Sequence, residues 1–221
     1  MIVASFFAPR PEHPRWRDYL PSLRLLQESC DRLGLRHVVI GDAEIEGFDV
    51  LSVPDLPRPL MPAFVAGQRH AIETLDDDLL LVGADCVIAA DPRPPFWLGD
   101  MAVTLGDFWD CPMNTGAIWI TNEARRTAAT MWRAAEQGLT DIWGNDQLAL
   151  AAQLAPLPPF NLTPVVSDRH GLEIAFLPVD PWNLAPDRED HECSSAVVLH
   201  FRGNRKEWSG RWCQRFLGFG G

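Results

Sequence analysis

No stretch of the sequence approaches the ~20 consecutive apolar residues that a membrane-crossing helix requires. The opening Met1-Ile-Val-Ala-Ser-Phe-Phe-Ala-Pro-Arg has no positive leader region, and its apolar segment is too short for a secretory signal, so a cytoplasmic protein is expected. Paired cysteines are also missing. Cys30, Cys86, Cys111, Cys193 and Cys213 are odd in number, widely spaced and include no C-x-x-C, which argues for a reducing compartment and against a disulfide framework. Basic charge is scarce: 19 Lys and Arg face 30 Asp and Glu, a net charge of −11 with a pI near 4.9. This balance opposes a broad basic face for duplex DNA or anionic lipid and leaves room only for a local basic pocket. Internal repeats, low-complexity tracts and breaks in composition are absent, so residues 1–221 read as one domain.

What is present is ordinary globular composition, 47% hydrophobic and 22% charged, in a chain long enough to bury its own core. Ile2 to Phe7 reads as a strand closed by the Pro-rich loop Ala8-Pro-Arg-Pro-Glu-His-Pro. Leu23, Leu26, Cys30 and Leu33 at helical spacing precede a second strand, His37 to Ile40. Strand, helix, strand predicts a right-handed parallel crossover, and so an α/β fold with a mainly parallel central sheet flanked by helices. Residues 43 to 61 read as loop, Pro62 opens a helix through Leu75, and Leu79 to Ile88 is a buried central strand broken by one acid. Further strands are predicted at Met101 to Leu105, Glu173 to Val179 and Ala196 to Phe201, and Met113 to Ile120 reads as a polar turn feeding another apolar strand. Asn122 is placed as the cap of a helix over Ala124 to Ala135, and Pro156 to Arg169 is read as irregular.

Ligands in such sheets gather at the carboxyl ends of the strands, so Asp85, in the turn Gly83-Ala84-Asp85, faces a crevice. Asp42 ends the second strand in the same way, whereas Asp76-Asp77-Asp78 precedes its strand and reads as a solvated turn. The most specific stretch is His200-Phe201-Arg202-Gly203-Asn204-Arg205-Lys206-Glu207-Trp208. A histidine at a strand end can ligate a divalent metal, Gly203 lets backbone approach a diphosphate, and Lys206 supplies a point charge. Among the loop tryptophans Trp97, Trp109, Trp143 and Trp182, one is a candidate for stacking on a sugar or base. Asp107 and Asp110 are weaker acceptor-side candidates.

The pattern H-x-x-G-x-x-K-x-W, with the acidic turn, the Asn114-Thr115-Gly116 turn and Asp146-Gln147 at a helix start, resembles glycosyltransferase family 8. That family includes glycogenin and the bacterial lipopolysaccharide galactosyltransferases, and the order of motifs matches from the first strand to Trp208. The resemblance implies a GT-A-like, Rossmann-type fold and a hexosyltransferase using a nucleotide-sugar donor, usually UDP-linked. It also implies Mn²⁺ or Mg²⁺ on the diphosphate and retention of anomeric configuration. Carried over residue by residue, Asp85 and His200 become metal ligands, and Gly203 and Lys206 contact the diphosphate. Asn114 and Gly116 form the turn near the donor sugar, and Asp146 and Gln147 contact sugar hydroxyls near the reacting carbon. Ser5, Phe6 and Asp42 lie where the family holds the nucleoside, and Arg69, on the helix before the central strand, joins the donor-binding set.

The family's D-x-D reads Gly-Ala-Asp here, with Gly83 in place of the first acid, and the proline usual after the lysine is Glu207. A metal therefore has one carboxylate fewer. Gly83 favours a different reading, a non-catalytic nucleotide-sugar or carbohydrate-binding protein, against which stand His200, Gly203, Lys206, Asp146 and Gln147. A sugar-1-phosphate nucleotidyltransferase would need a Gly-rich triphosphate loop after the first strand, which Ala8 to Pro14 does not provide. The acceptor stays open among a glycan, a lipid-linked sugar, a protein and a modified base.

Overall fold

The computed structural model describes residues 1–9, 19–106 and 111–220. β1 (Ile2–Phe6), α1 (Tyr19–Arg32) and β2 (Arg36–Gly41) make the expected crossover, with β1 and β2 parallel and Ile2 opposite Arg36. β3 (Val50–Ser52), α2 (Leu60–Thr74) and β4 (Leu79–Val82) follow. Next come β5 (Cys86–Ile88), β6 (Met101–Leu105), β7 (Met113–Ile120), α3 (Arg125–Glu136) and α4 (Asn145–Leu154). The hairpin β8 (Val165–Arg169) and β9 (Leu172–Pro178) leads to α5 (Val179–Trp182), β10 (Val198–His200) and α6 (Ser209–Leu217).

Eight strands form one sheet in the order β3-β2-β1-β4-β7-β6-β9-β8, and β5 pairs with β10 in a separate two-stranded sheet. Parallel pairing runs from β3 to β4 and recurs between β6 and β9, while β7 is antiparallel to both of its neighbours. β1, β4, β6 and β7 are buried along their full length, which explains why β4 is continuously apolar and why the others are mostly apolar rather than alternating. One face of the sheet packs on α2, α3 and α4, the other on α1 and the small sheet, and α6 closes behind that sheet. A Cβ at Gly67 would lie 2.7 Å from the Phe6 ring, so glycine sets the close approach of α2 to β1.

The stretch Leu79 to Ile88, expected as one strand, is two. Residues Gly83 to Asp85 turn the chain out of the main sheet, and β5 continues as the partner of antiparallel β10, Cys86 opposite His200. Two strands escaped the sequence reading. β3 is three residues long and partly exposed within a segment read as loop. β8 lies at the sheet edge in a segment read as irregular, joined to β9 by His170 and Gly171. Both turn residues have positive φ, 54° and 74°, the conformation of a two-residue type I′ hairpin turn. Asn122 does not cap α3: its side-chain oxygen accepts from Arg125, and Ala124 N–H donates to Thr121 Oγ1. The five cysteines are all free and buried, and no helix among the described residues is long and apolar enough to cross a membrane.

Beneath β1 lies a buried polar chain in which the His37 ring bonds Ser5 Oγ and Gln27 Oε1, each at 2.9 Å. Burial lowers the His37 imidazole from 6.5 to about 4, against the opposing pull of Asp31 and Asp49. Below pH 6.5 the unfolded chain therefore takes up a proton that the folded chain refuses. Stability should fall as pH drops from 6.5 towards 4, by at most about 1.4 kcal/mol per pH unit from this group. Chemical denaturation of wild type and His37→Gln across pH 7 to 5 checks this: the variant should show the shallower slope, and equal slopes would contradict it.

Candidate active site

Four segments meet at the carboxyl edge of β1 and β4. β1 contributes Phe6 and then Phe7 and Ala8, and the β4–β5 turn contributes Gly83, Ala84 and Asp85. β7 contributes Asn114, Thr115 and Gly116, and the segment after β10 contributes Arg202, Gly203, Arg205 and Lys206. With Tyr19, Leu60, Met61, Phe64, Trp143, Gly144, Asp146, Gln147 and His200 they line a cavity of about 540 Å³. Its lining combines the apolar Phe6, Phe7, Leu60, Met61 and Phe64 with the charged Asp85, Asp146, Arg202, Arg205 and Lys206.

Backbone bonds fix the turn. Gly83 N–H donates to Gly116 C=O at 3.2 Å, Cys86 N–H to Gly83 C=O at 3.0 Å, and Phe201 N–H to Asp85 C=O at 2.9 Å. Asp85 is buried, with one carboxylate oxygen 3.3 Å from His200 Nε2 and the other 3.0 Å from Lys206 Nζ. Burial alone would raise its pKa; His200 and then Lys206 outweigh that and hold the carboxyl well below the usual carboxylate range. Lys206 is the only lysine in the sequence. Burial works against its charge, but Asp85 and Tyr19 leave its pKa raised, and Nζ stands 4.5 Å from the centre of the Tyr19 ring.

The register between β6 and β7 breaks at Val103/Thr104, so that Val103 faces Ile118 and Thr104 faces Asn114. The extra residues Thr115, Gly116 and Ala117 form an irregularity that turns Thr115 and Gly116 into the cavity. Asn114 Oδ1 accepts from Gly116 N–H at 2.8 Å and holds this bend. A Cβ at Gly116 would overlap the His200 ring, so glycine is what allows the imidazole to sit against β7. Thr115 Oγ1 donates to Asp146 Oδ2 at 2.9 Å. Asp146 sits in the first turn of α4 after Gly144, whose φ of 81° turns the chain in, and burial raises its pKa against the Thr115 bond and backbone donors. A buried acid of raised pKa in a polar cavity is a candidate for chemistry.

Of the residues expected from sequence, Phe6, Asp85, Asn114, Gly116, Asp146, Gln147, His200, Gly203 and Lys206 line this one cavity. Three do not. Arg69 is held on the α2–α3 surface by Glu73 at 2.8 Å and Glu136 at 2.7 Å, Ser5 is turned into the core towards His37, and Asp42 is exposed beyond β2. Trp143 stands at the cavity, 77% exposed, whereas Trp182 packs on Trp119 and Trp97 is exposed outside the lining. Asp107, Trp109, Asp110 and most of the loop after the first strand lie outside the described residues. Asp76 and Asp78 serve the Arg125 and Asn122 side of the molecule, as a solvated turn should. Sequence reasoning passed over Thr115, Tyr19, Arg202 and Arg205 as site residues. The arginines stand inside the singled-out basic stretch and Thr115 inside the Asn114-Thr115-Gly116 turn; Tyr19 carried no local signal.

No protein-family model and no curated protein matches the chain. Solved structures do. A glycosyltransferase involved in the glycosylation of the major capsid of PBCV-1 matches with a TM-score of 0.59 and 14% identity, over 93% of this chain and 97% of that one. The apo form of the glycosyltransferase GlyE of Streptococcus pneumoniae TIGR4 matches with a TM-score of 0.60 and 12% identity, and a second structure of GlyE matches at 11%. The match covers 94% of this chain but 56% of GlyE, so the chain spans little more than half of that protein. At these identities the likeness establishes the fold: an α/β architecture, with a large mostly parallel sheet between helices, shared with solved glycosyltransferases.

Gly116→Ala should lower stability by about 1–3 kcal/mol, the cost of overpacking, because the new methyl group meets the His200 ring. Gly203→Ala, where φ is 66° but no atom lies within 4 Å of the added Cβ, should cost only the left-handed strain of about 1–2 kcal/mol. Thermal denaturation compares the two. His200-dependent ligand binding should be disturbed in the first.

Proposed function

We propose that this protein is a glycosyltransferase of the family 8 type, moving a hexose from a nucleoside-diphosphate sugar, UDP-linked by preference, with retention of configuration. The observation that carries the reading is the meeting of Asp85, His200, Gly203 and Lys206 with buried Asp146 and the Asn114–Gly116 bend in one cavity. That cavity lies at the strand ends of a sheet built like those of solved glycosyltransferases. The apolar lining, with Phe6, suits a nucleoside, and the cationic residues suit its diphosphate.

The donor set fits the divalent ion that the resemblance implies. His200 Nε2 and Asp85 Oδ1, 3.3 Å apart, can be neighbouring ligands of one hard cation, the remaining positions falling to diphosphate oxygens and water. Cys86 lies close enough to join them, but burial, followed by the charge of Asp85, raises its pKa well above the usual thiol value. Without a cation it donates to Gly116 C=O, which leaves Asp85 and His200 as the ligands of the reading. Mn²⁺ or Mg²⁺ bound there would neutralise charge on the departing diphosphate.

In departure of the nucleoside diphosphate, negative charge grows on the bridging oxygen and Lys206 opposes it at close range. Positive charge grows at the anomeric carbon, where the Asp146 carboxylate, oriented by Thr115, stabilises it, and Gln147 and Asn114 hold the sugar. Gly83 favours a second reading, binding without transfer, because it removes one acid from the turn.

A thermal-shift titration with UDP, GDP, CDP and their sugar conjugates, with and without Mn²⁺, tests the donor site, since a ligand of the folded state raises the melting temperature. One nucleotide family should stabilise the protein, more so with Mn²⁺. Asp146→Asn should keep that shift while lowering donor hydrolysis roughly a hundredfold or more. Wild-type binding without hydrolysis or transfer would instead support the second reading. Labelled with ¹³C-lysine, the protein should give one side-chain Hε–Cε cross-peak, which moves when UDP is added. A stationary peak during demonstrated binding would remove Lys206 from the donor site.

A further inference from the structure

The pattern H-x-x-G-x-x-K leaves positions 202 and 205 unspecified, and here both are arginine. Both line the same cavity as Asp85 and His200. The hydrogen bond from Phe201 N–H to Asp85 C=O sets Arg202 directly beside the acidic turn. Arg205 Nε donates to Pro186 C=O, and its Nη2 lies 3.9 Å from Asp187 Oδ1, so one edge of that guanidinium is already held by the segment before β10 and Arg202 is the less committed of the two forks. The backbone of this wall is in turn tied to the segment before it, His200 N–H donating to Leu184 C=O at 2.8 Å.

Charge is the reason to look here. Lys206 already faces Asp85 at 3.0 Å, so part of its field is spent on a protein carboxylate. Position 83 contributes no acid and hence less hold on a cation. Among the described residues of the cavity, Arg202, Arg205 and Lys206 carry three cations against the carboxyls of Asp85 and Asp146. This local excess stands in a chain of net charge −11. A guanidinium presents a planar fork of donors that matches two phosphate oxygens at once, which an ammonium cannot do.

We propose that Arg202 and Arg205 form, with Lys206, a clamp on the donor diphosphate that binds the nucleotide without a divalent ion. The metal at Asp85 and His200 then adds to this binding rather than enabling it. The inference rests on the transferase reading and deepens it.

Isothermal titration calorimetry of the full chain with UDP and GDP, once in EDTA and once in Mn²⁺, tests the clamp. A nucleotide should bind in EDTA. Arg202→Gln and Arg202→Gln/Arg205→Gln should weaken that binding roughly ten- to a hundredfold, the range of lost charge-assisted hydrogen bonds, and weaken the Mn²⁺-supported binding less. Asp85→Asn should abolish the Mn²⁺ increment. Near-UV circular dichroism checks folding; if the double variant is unfolded, Arg202→Gln alone carries the test. Binding in Mn²⁺ only, or EDTA binding indifferent to loss of the arginines, overturns the clamp and leaves the transferase reading standing. No binding in either condition overturns both.

Discussion

The architecture turns on one buried carboxylate. Asp85 leaves the main sheet at the end of β4 and meets the His200 imidazole and the Lys206 ammonium group, from a segment more than a hundred residues later. A carboxylate this deeply buried is tolerated only when it is paired and hydrogen-bonded, and removing a partner from such a pair commonly costs about 3–5 kcal/mol. The pairing therefore obliges the chain after β10 to lie across the β4–β5 turn. The antiparallel β5–β10 ladder and the bond from Phe201 N–H to Asp85 C=O give that obligation a rigid frame. The cavity is what remains between this frame, the irregular end of β7 and the start of α4.

Much of this was written locally. The mostly apolar, non-alternating sequences of β1, β4 and β6 are those of strands buried on both faces, and the acid that interrupts Leu79 to Ile88 marks where the sheet is left. Asp85, His200, Gly203 and Lys206 could be found because their residue types are unusual where they stand and their spacing is regular. β3 and β8 were harder to see. One is three residues long, the other is an exposed edge strand, and both owe their existence to neighbours rather than to their own patterns. Arg69 shows the converse error. On a helix before the central strand it suggests donor binding, but Glu73 one turn along and Glu136 on the facing helix capture its guanidinium. Ser5 likewise belongs to a hydrogen-bonded pair with His37 that only strand pairing creates. Thr115 became visible through a break in strand register, which sequence alone does not display.

The irregularity in β7 and the acidic turn are parts of one device. Gly116 gives up its side chain so that His200 can lie against the strand, and its carbonyl receives both Gly83 N–H and the Cys86 thiol. Asn114 holds the bend from one side, and Thr115, carried round by it, orients Asp146. The arrangement thus couples His200 to Asp146 across three consecutive residues of one strand. A bound nucleotide sugar would span that distance with its phosphates and its anomeric carbon.

Gly83 is best understood within the same geometry. A Cβ at this position would lie 2.8 Å from Asp85 Oδ1 and 3.7 Å from His200 Nε2, so its direction is towards the contact between those two side chains. A second acid could not simply be added to the present arrangement. The Asp85 carboxylate would first have to rotate, loosening its contact with His200 or Lys206. Glycine at 83 is consistent with a carboxylate whose two oxygens face His200 and Lys206 of the later segment, beside which two arginines also line the cavity. Where an acidic pair would draw charge into the site by holding a metal, a single acid with surrounding guanidinium and ammonium groups leaves the protein itself as the larger source of positive field. That shift from borrowed to built-in charge follows from one missing side chain and the three basic residues between 202 and 206.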